Sequence, residues 1–194
     1  NLELADFSGA TLTGANFTGA NLKSANFIGA NLSGAVFDQA NLESNSSDPP
    51  ANFRDAILNN TSFKDAFAVA VNFKATDLSN ADFYGADIRW GDFSDAEMSN
   101  ANLEGSNLYV TNFNRANLSN ANLSNATFDT AKVIQTVFRD ANLEGITIKG
   151  SSDFHKANFT EASLNRADFE NSFFVDADFS GANITNSRFY MSDF

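Results

Sequence analysis

The chain has no cysteine, which excludes disulfides and thiolate metal sites and fits any redox compartment. It has one histidine, His155, with Asp153 two residues before it. No Ser-His-Asp arrangement can be assembled around that pair, and a histidine in a surface turn is expected. There is no glycine-rich phosphate loop and no run of 18 apolar residues, so no segment is expected to span a membrane. Basic residues are scarce, 12 against 24 acidic ones, for a net charge of −12. Such a surface repels nucleic-acid phosphates, so direct DNA or RNA binding is not expected. The same charge helps to keep an elongated protein in solution.

What is abundant is phenylalanine, with 21 residues, alongside many Ala, Asn, Asp and Ser; 43% of the chain is apolar, enough for a core. These residues recur every five positions. The unit is Ala, then Asn or Asp, then a central Leu or Phe, then two mostly polar residues. The first centres are Leu2, Phe7, Leu12, Phe17, Leu22, Phe27, Leu32, Phe37 and Leu42. Residues 43–52 break the count: one centre is missing and one residue is extra. The register resumes at Phe53, runs to Ile148, slips by one residue over 149–153, and continues from Phe154 to Phe194.

A period of five fits neither the 3.6 of a helix nor the 2 of a flat strand. The centre would sweep around every side of an α-helix instead of forming a stripe. A chain that bends at each unit solves the problem, with the centre and the small residue two before it both turned inward. Asn, Asp, Ser and Gly suit the bends.

The pattern Ala-(Asn/Asp)-(Leu/Phe)-X-X resembles the pentapeptide repeat family over essentially all of residues 1–194. The resemblance implies an all-β fold, a right-handed quadrilateral β-helix in which four units close a coil of 20 residues, here about 9–10 coils forming a single domain. On that coil, stacked columns are expected. Phe53, Phe73, Phe93, Phe113 and Val133 form one, and Leu58, Leu78, Met98, Leu118 and Phe138 the next. Phe63, Phe83, Leu103, Leu123 and Leu143 form a third, and Ala68, Ile88, Leu108, Phe128 and Ile148 the fourth. At the usual ~4.8 Å between strands the rod is roughly 45 Å long. Asn102, Asn122 and Asn142 should form an amide ladder.

Much apparent chemistry dissolves into this architecture. Asp92, Asp95 and Glu97 lack the spacing of a calcium loop, and Asp before a centre is what the repeat supplies. The Asn-X-Ser/Thr triplets at Asn16, Asn117 and Asn122 are generated by the repeat and are not evidence of glycosylation. No catalytic residue, metal or cofactor is expected.

Function is expected where a residue departs from the repeat's needs. Pro49 and Pro50, which lack backbone donors, should bulge out of the ladder. Apolar Phe67, Val69, Trp90, Tyr109 and Val110 occupy positions that should face solvent, on one side of three successive coils. Counting back through the first slip, taken not to rotate the coil, puts the Pro49–Pro50 bulge and Ile28 on that side too. A contiguous aromatic patch there would mark a protein interface, unless Phe67 folds inward over the small Ala68. Phe173 and Val175 form a smaller candidate, a second contact or an oligomer seam. Residues 75–107 carry seven carboxylates against Arg89 alone, half the net charge. Asp82, Asp87 and Asp92 make a belt around the rod.

Two functions follow from the resemblance. One is a non-catalytic scaffold docking onto a larger protein assembly, as expected of thylakoid-lumen members of the family, with the cytoplasm as the alternative compartment. The other is an acidic DNA mimic that binds DNA gyrase and protects it from quinolones. The belt runs across the rod, not along it, and fits the second less well. The solenoid ends could also stack into oligomers.

Overall fold

The computed structural model describes residues 1–43 and 48–194. The chain winds as a right-handed four-sided β-helix. Parallel bridges join each residue that precedes a centre to its equivalent in the next coil, 20 residues on, as in Asn52↔Asn72 and Asp82↔Asn102. Three segments near the C-terminal end are long enough to count as strands: β1 (Thr147–Ile148), β2 (Asp168–Glu170) and β3 (Arg188–Tyr190), a parallel sheet in that order.

The reason for the five-residue unit emerges from its amide hydrogens. Around Phe83, four of five N–H groups find backbone carbonyls. Phe83 donates to Asn102 O (2.6 Å) and Gly85 to Glu104 O (3.0 Å) in the coil above. Asp87 donates to Ala66 O (3.0 Å) in the coil below, and Ala86 donates back to Phe83 O (3.0 Å), closing a turn. The fifth, Tyr84 N–H, has no carbonyl in reach and donates to the Asp82 side chain at 3.1 Å. A backbone donor must be paired, so Asn or Asp before the centre is a structural requirement. At three of the corners where another residue stands there, a side chain from the coil below substitutes. Lys64 N–H uses Asp38, Ile134 N–H uses Asn114 and Lys149 N–H uses Asp129.

The second residue after the centre is the other constraint. It has positive φ at almost every corner, with values of 52–69°, while the residue before it does not. With the carbonyl-to-amide bond across it, this is a type II turn, which favours Gly or Asn at that point.

The core is aromatic in the N-terminal half. Phe27, Phe53, Phe73, Phe93 and Phe113 stack at 4.6–5.1 Å on one side, and Phe37, Phe63 and Phe83 at 4.8 Å on the opposite side. The two stacks meet edge to face through the rod centre, for example Phe83–Phe93 at 5.8 Å and 83°. All these rings from Phe27 to Phe113 are fully buried, and burial of each contributes about 1.5–3 kcal/mol. Beyond Phe113 rings also occupy the other two sides, with Phe138–Phe159 and Phe169–Phe189 stacking at 5.0 and 4.9 Å, while Phe154, Phe174 and Phe194 continue the Phe113 side at 4.9 and 5.2 Å. The asparagine ladder is present. Asn142 donates to Asn122 (3.1 Å), Asn122 to Asn102 (3.3 Å), and Asn102 to Asp82 (2.9 Å).

Both register slips fall at one corner of the square. Asn41 pairs with Phe67 and Asn26 with Asn52. The columns therefore continue from Leu42 to Ala68 and from Phe27 to Phe53. Phe53 comes eleven positions after Leu42 where a unit needs five, and the surplus leaves at the corner after Leu42. At the second slip one residue is absorbed after Ile148, and pairs such as Lys132↔Asp153 are 21 apart. In the coil below, the direct turn bond from Ala131 to Phe128 gives way to the Ser152 hydroxyl, which accepts from Ala131 N–H (3.1 Å) and donates to Phe128 O (3.1 Å). The slip at 43–52 thus corrects the position expected for Ile28. It belongs to the Phe27–Phe53 side, not to the side of Ala68, because the insertion occupies one corner and does not stand in for a missing side.

Candidate functional site

The side built on Leu42, Ala68, Ile88 and Leu108 gathers most of the departures from the repeat. Bridges and backbone bonds give its outer rows. Asn41, Phe67, Asp87 and Asn107 stack before the centres. Glu43, Val69, Arg89, Tyr109 and Asp129 stack after them, and Ala70, Trp90 and Val110 stand at the corner. That corner is also the one where both slips occur. Ala70 donates to Arg89 O (2.7 Å), Trp90 to Tyr109 O (2.9 Å) and Val110 to Asp129 O (2.8 Å), so the rows are held in register by the backbone.

Phe67 is 54% exposed. It points outward and does not fold over Ala68, which is itself buried. It occupies the position where the ladder calls for Asn or Asp, and among the described residues none accepts a hydrogen bond from Val69 N–H. Trp90 is 50% and Tyr109 40% exposed, their rings in edge contact at 6.1 Å and 70°. The Arg89 guanidinium lies over the Trp90 ring at 5.6 Å. It is fixed there by a bidentate pair with Asp87, 2.7 Å on each arm. The hydrogen bond from Arg89, then the carboxylate's charge, raises the guanidinium pKa further. The corner conformation is costly for these side chains: φ is 57° at Trp90 and 58° at Val110, a region that a bulky or β-branched residue rarely adopts.

The five apolar residues expected to form one patch are thus divided. Trp90 and Tyr109 touch, with half-buried Val110 beside them at the corner. Phe67 stands one coil below the Asp87–Arg89 pair, with no ring contact to Trp90 or Tyr109 among the described residues. Val69 is only 8% exposed and offers almost no surface. Pro49 is exposed and Pro50 half-buried, in the segment that leaves from this corner. Residues 44–47 of the insertion lie outside the described residues. Phe173, 47% exposed, and half-buried Val175 lie on the neighbouring side, that of Phe154 and Phe174, several coils away. Phe173, like Phe67, replaces the residue that would satisfy a turn amide.

The remaining polar candidates are structural. His155 donates its backbone N–H to Asp153 (3.0 Å), and its ring lies 3.9 Å from Asp176. Asp92 accepts from Ser94 N–H and Asn112, Glu97 from Ser99 N–H and Asn117. Asp95 is held below the ordinary carboxylate value chiefly by the Arg115 hydrogen bond at 2.6 Å. Among the described residues no His/Cys/Asp/Glu cluster suits a metal, and no helix is long and apolar enough to cross a membrane. The Asx rule explains why carboxylates sit where they do, which spacing alone did not reveal.

Family models described as pentapeptide repeats match residues 1–43 and 152–190 (8 copies) and 113–158 (9 copies), and a model of a pentapeptide repeat region matches 50–113. Among solved structures, the chain is similar to full-length QnrB1, a plasmid-mediated fluoroquinolone resistance protein. The identity is 22%, covering 94% of this chain and 90% of that one, with a TM-score of 0.62. HetL, a pentapeptide repeat protein involved in heterocyst differentiation regulation in the cyanobacterium Nostoc sp. strain PCC 7120, aligns at 21% identity over 94% of this chain and 86% of its own, with a TM-score of 0.37. A pentapeptide repeat protein of the Arabidopsis thaliana thylakoid lumen aligns at 25% identity over 75% and 69%, with a TM-score of 0.18. Among curated proteins no sequence matches.

Proposed function

Since the chain belongs to the pentapeptide repeat family, we propose that it is a non-catalytic rod that docks a protein partner through the side bearing Phe67, Trp90 and Tyr109. The observation that carries this reading is a set of large side chains held outward where the fold is better served by others. Phe67 forfeits a turn hydrogen bond, Trp90 and Val110 sit at corner positions suited to Gly or Asn, and all lie on the side whose corner the insertion leaves. Aromatic residues exposed on a rigid frame are the usual anchors of an interface, and the frame here is a closed, packed core with no room for a substrate. The test is affinity capture from extract of cells that make the protein. The wild type is compared with Phe67→Asn/Trp90→Asn/Tyr109→Ser, which uses residues the repeat tolerates. The expected result is a partner retained by the wild type and lost by the variant at unchanged circular dichroism. Equal retention would sink the reading.

A second reading, an acidic rod acting on DNA gyrase, draws on the net charge of −12. Against it, the carboxylates of residues 75–107 circle the rod, and Asp82, Asp92 and Glu97 are engaged by the amide ladders. A gyrase supercoiling assay with a fluoroquinolone separates the two readings: protection by wild type and triple variant alike favours the acidic rod over the aromatic side.

A further inference from the structure

The aromatic side is set in a field of one sign. Phe67 lies directly beneath Asp87, and Asp65 precedes it by two residues at the corner. Tyr109 stands beneath Asp129, Val69 above Glu43, and Asp92 follows Trp90 by two residues around the corner. Against these five carboxylates stand two cations: Arg89, which Asp87 already holds in a bidentate pair, and Lys149, whose backbone N–H donates to the Asp129 carboxylate below it, so the rim carries −3. The chain as a whole carries −12. An isologous contact with a second copy would bring two such rims together, and an anionic lipid surface or nucleic acid meets the same repulsion.

We propose that the occupant of this side is a cationic protein segment: an amphipathic stretch whose apolar residues seat on Phe67, Trp90 and Tyr109 while its Lys or Arg side chains meet Glu43, Asp65 and Asp129. The proposal rests on the docking reading and adds the chemistry of the partner. The rings supply the contact area, and the carboxylates supply steering and selection against acidic partners. Arg89 belongs to the site as a brace. Paired to Asp87 and laid on the Trp90 ring, it fixes the indole while having little charge left to repel a cationic partner.

Trp90 is the single tryptophan, so its fluorescence reports this side alone. The experiment titrates the full chain with two tryptophan-free amphipathic peptides of identical Leu/Phe pattern, one with Lys and one with Glu at the polar positions. The Lys peptide is expected to shift Trp90 emission to the blue and to bind at least tenfold more tightly than the Glu peptide. Its affinity should fall several-fold between 50 and about 200 mM salt, as exposed charges are screened. Binding should weaken at least tenfold in Phe67→Asn/Tyr109→Ser, which leaves Trp90 in place. Comparable binding of both peptides overturns the proposal, as does Lys-peptide binding that the double variant leaves undiminished. So does self-association of the protein that buries Trp90 without peptide, read by sedimentation equilibrium. The docking reading fails on a different result, retention of the native partner by the triple variant, so the two are separable.

Discussion

At the scale of the residue, the corner after Ile88 shows how far a repeat's consensus can mislead. Gly91 occupies a position that most often holds Ala. A Cβ on it would lie 2.9 Å from both the Ile88 carbonyl and the Phe93 ring. Gly91→Ala, a change toward the consensus, is therefore expected to destabilise the protein by about 1–3 kcal/mol through overpacking. Val110 presents the opposite case. Its φ of 58° costs an L-residue on the order of 1–2 kcal/mol, more easily borne by Asn, so Val110→Asn should raise stability by about 1 kcal/mol. Chemical denaturation followed by circular dichroism measures both as shifts in midpoint at constant slope. Shifts of the same sign for the two variants would mean that corner geometry does not set the cost. Trp90→Asn is expected to be nearly neutral. It relieves the same backbone cost but gives up the Arg89 contact, worth about 0.5–1 kcal/mol at an exposed site.

At the scale of the five-residue element, the Asx rule makes a paired prediction. Asn122 accepts from Ser124 N–H and from Asn142, and donates to Asn102. Asn122→Ala strands these groups and should cost about 1–3 kcal/mol. Phe67→Asn restores an acceptor for Val69 N–H and should stabilise by about 0.5–1.5 kcal/mol, even though it removes a large side chain. Thermal melts of the two variants against wild type should diverge in opposite directions, and a loss of stability in Phe67→Asn would show that Phe67 packs for the fold's sake. Much of this element was legible in the sequence. The period follows from local patterning, since a centre every five residues admits only a chain that bends at each unit; the four inward columns and the asparagine ladder follow once the family resemblance supplies a coil of four units. The purpose of Asn and Asp before the centre was not, because it depends on which amide lacks a carbonyl, a matter of three-dimensional neighbours. Ile28 was misplaced for a related reason. The ten residues between Leu42 and Phe53 can be read as a missing side or as a corner insertion, and only the Asn41↔Phe67 pairing decides.

At the scale of the whole molecule, each coil touches only its neighbours, so stability is a sum of coil and interface contributions. The two phenylalanine stacks make that sum uneven. Phe93 is fully buried, stacked on Phe73 at 4.7 Å and Phe113 at 5.1 Å, and in edge contact with Phe83. Phe7 belongs to the same column but is only partly buried, stacked on Phe27 at 4.9 Å. Phe93→Ala opens a cavity between two rings and should cost about 3–5 kcal/mol. Phe7→Ala, at a surface that solvent already reaches, should cost roughly half of that or less. The spatial pattern is more telling than the totals. In a chain of nearest-neighbour couplings, the loss at Phe93 should lower amide-exchange protection in the coils on both sides of it, those holding Phe73 and Phe113. The loss at Phe7 should be confined to the first coils. Hydrogen exchange resolved by residue reads this directly. A uniform fall in protection along the rod for either variant would mean that it unfolds as a single cooperative unit. The proposed docking side, which spans the coils of Ala68, Ile88 and Leu108, lies in the stretch that depends on Phe93. Phe93→Ala should therefore loosen the hold on a partner although its own side chain never reaches the surface.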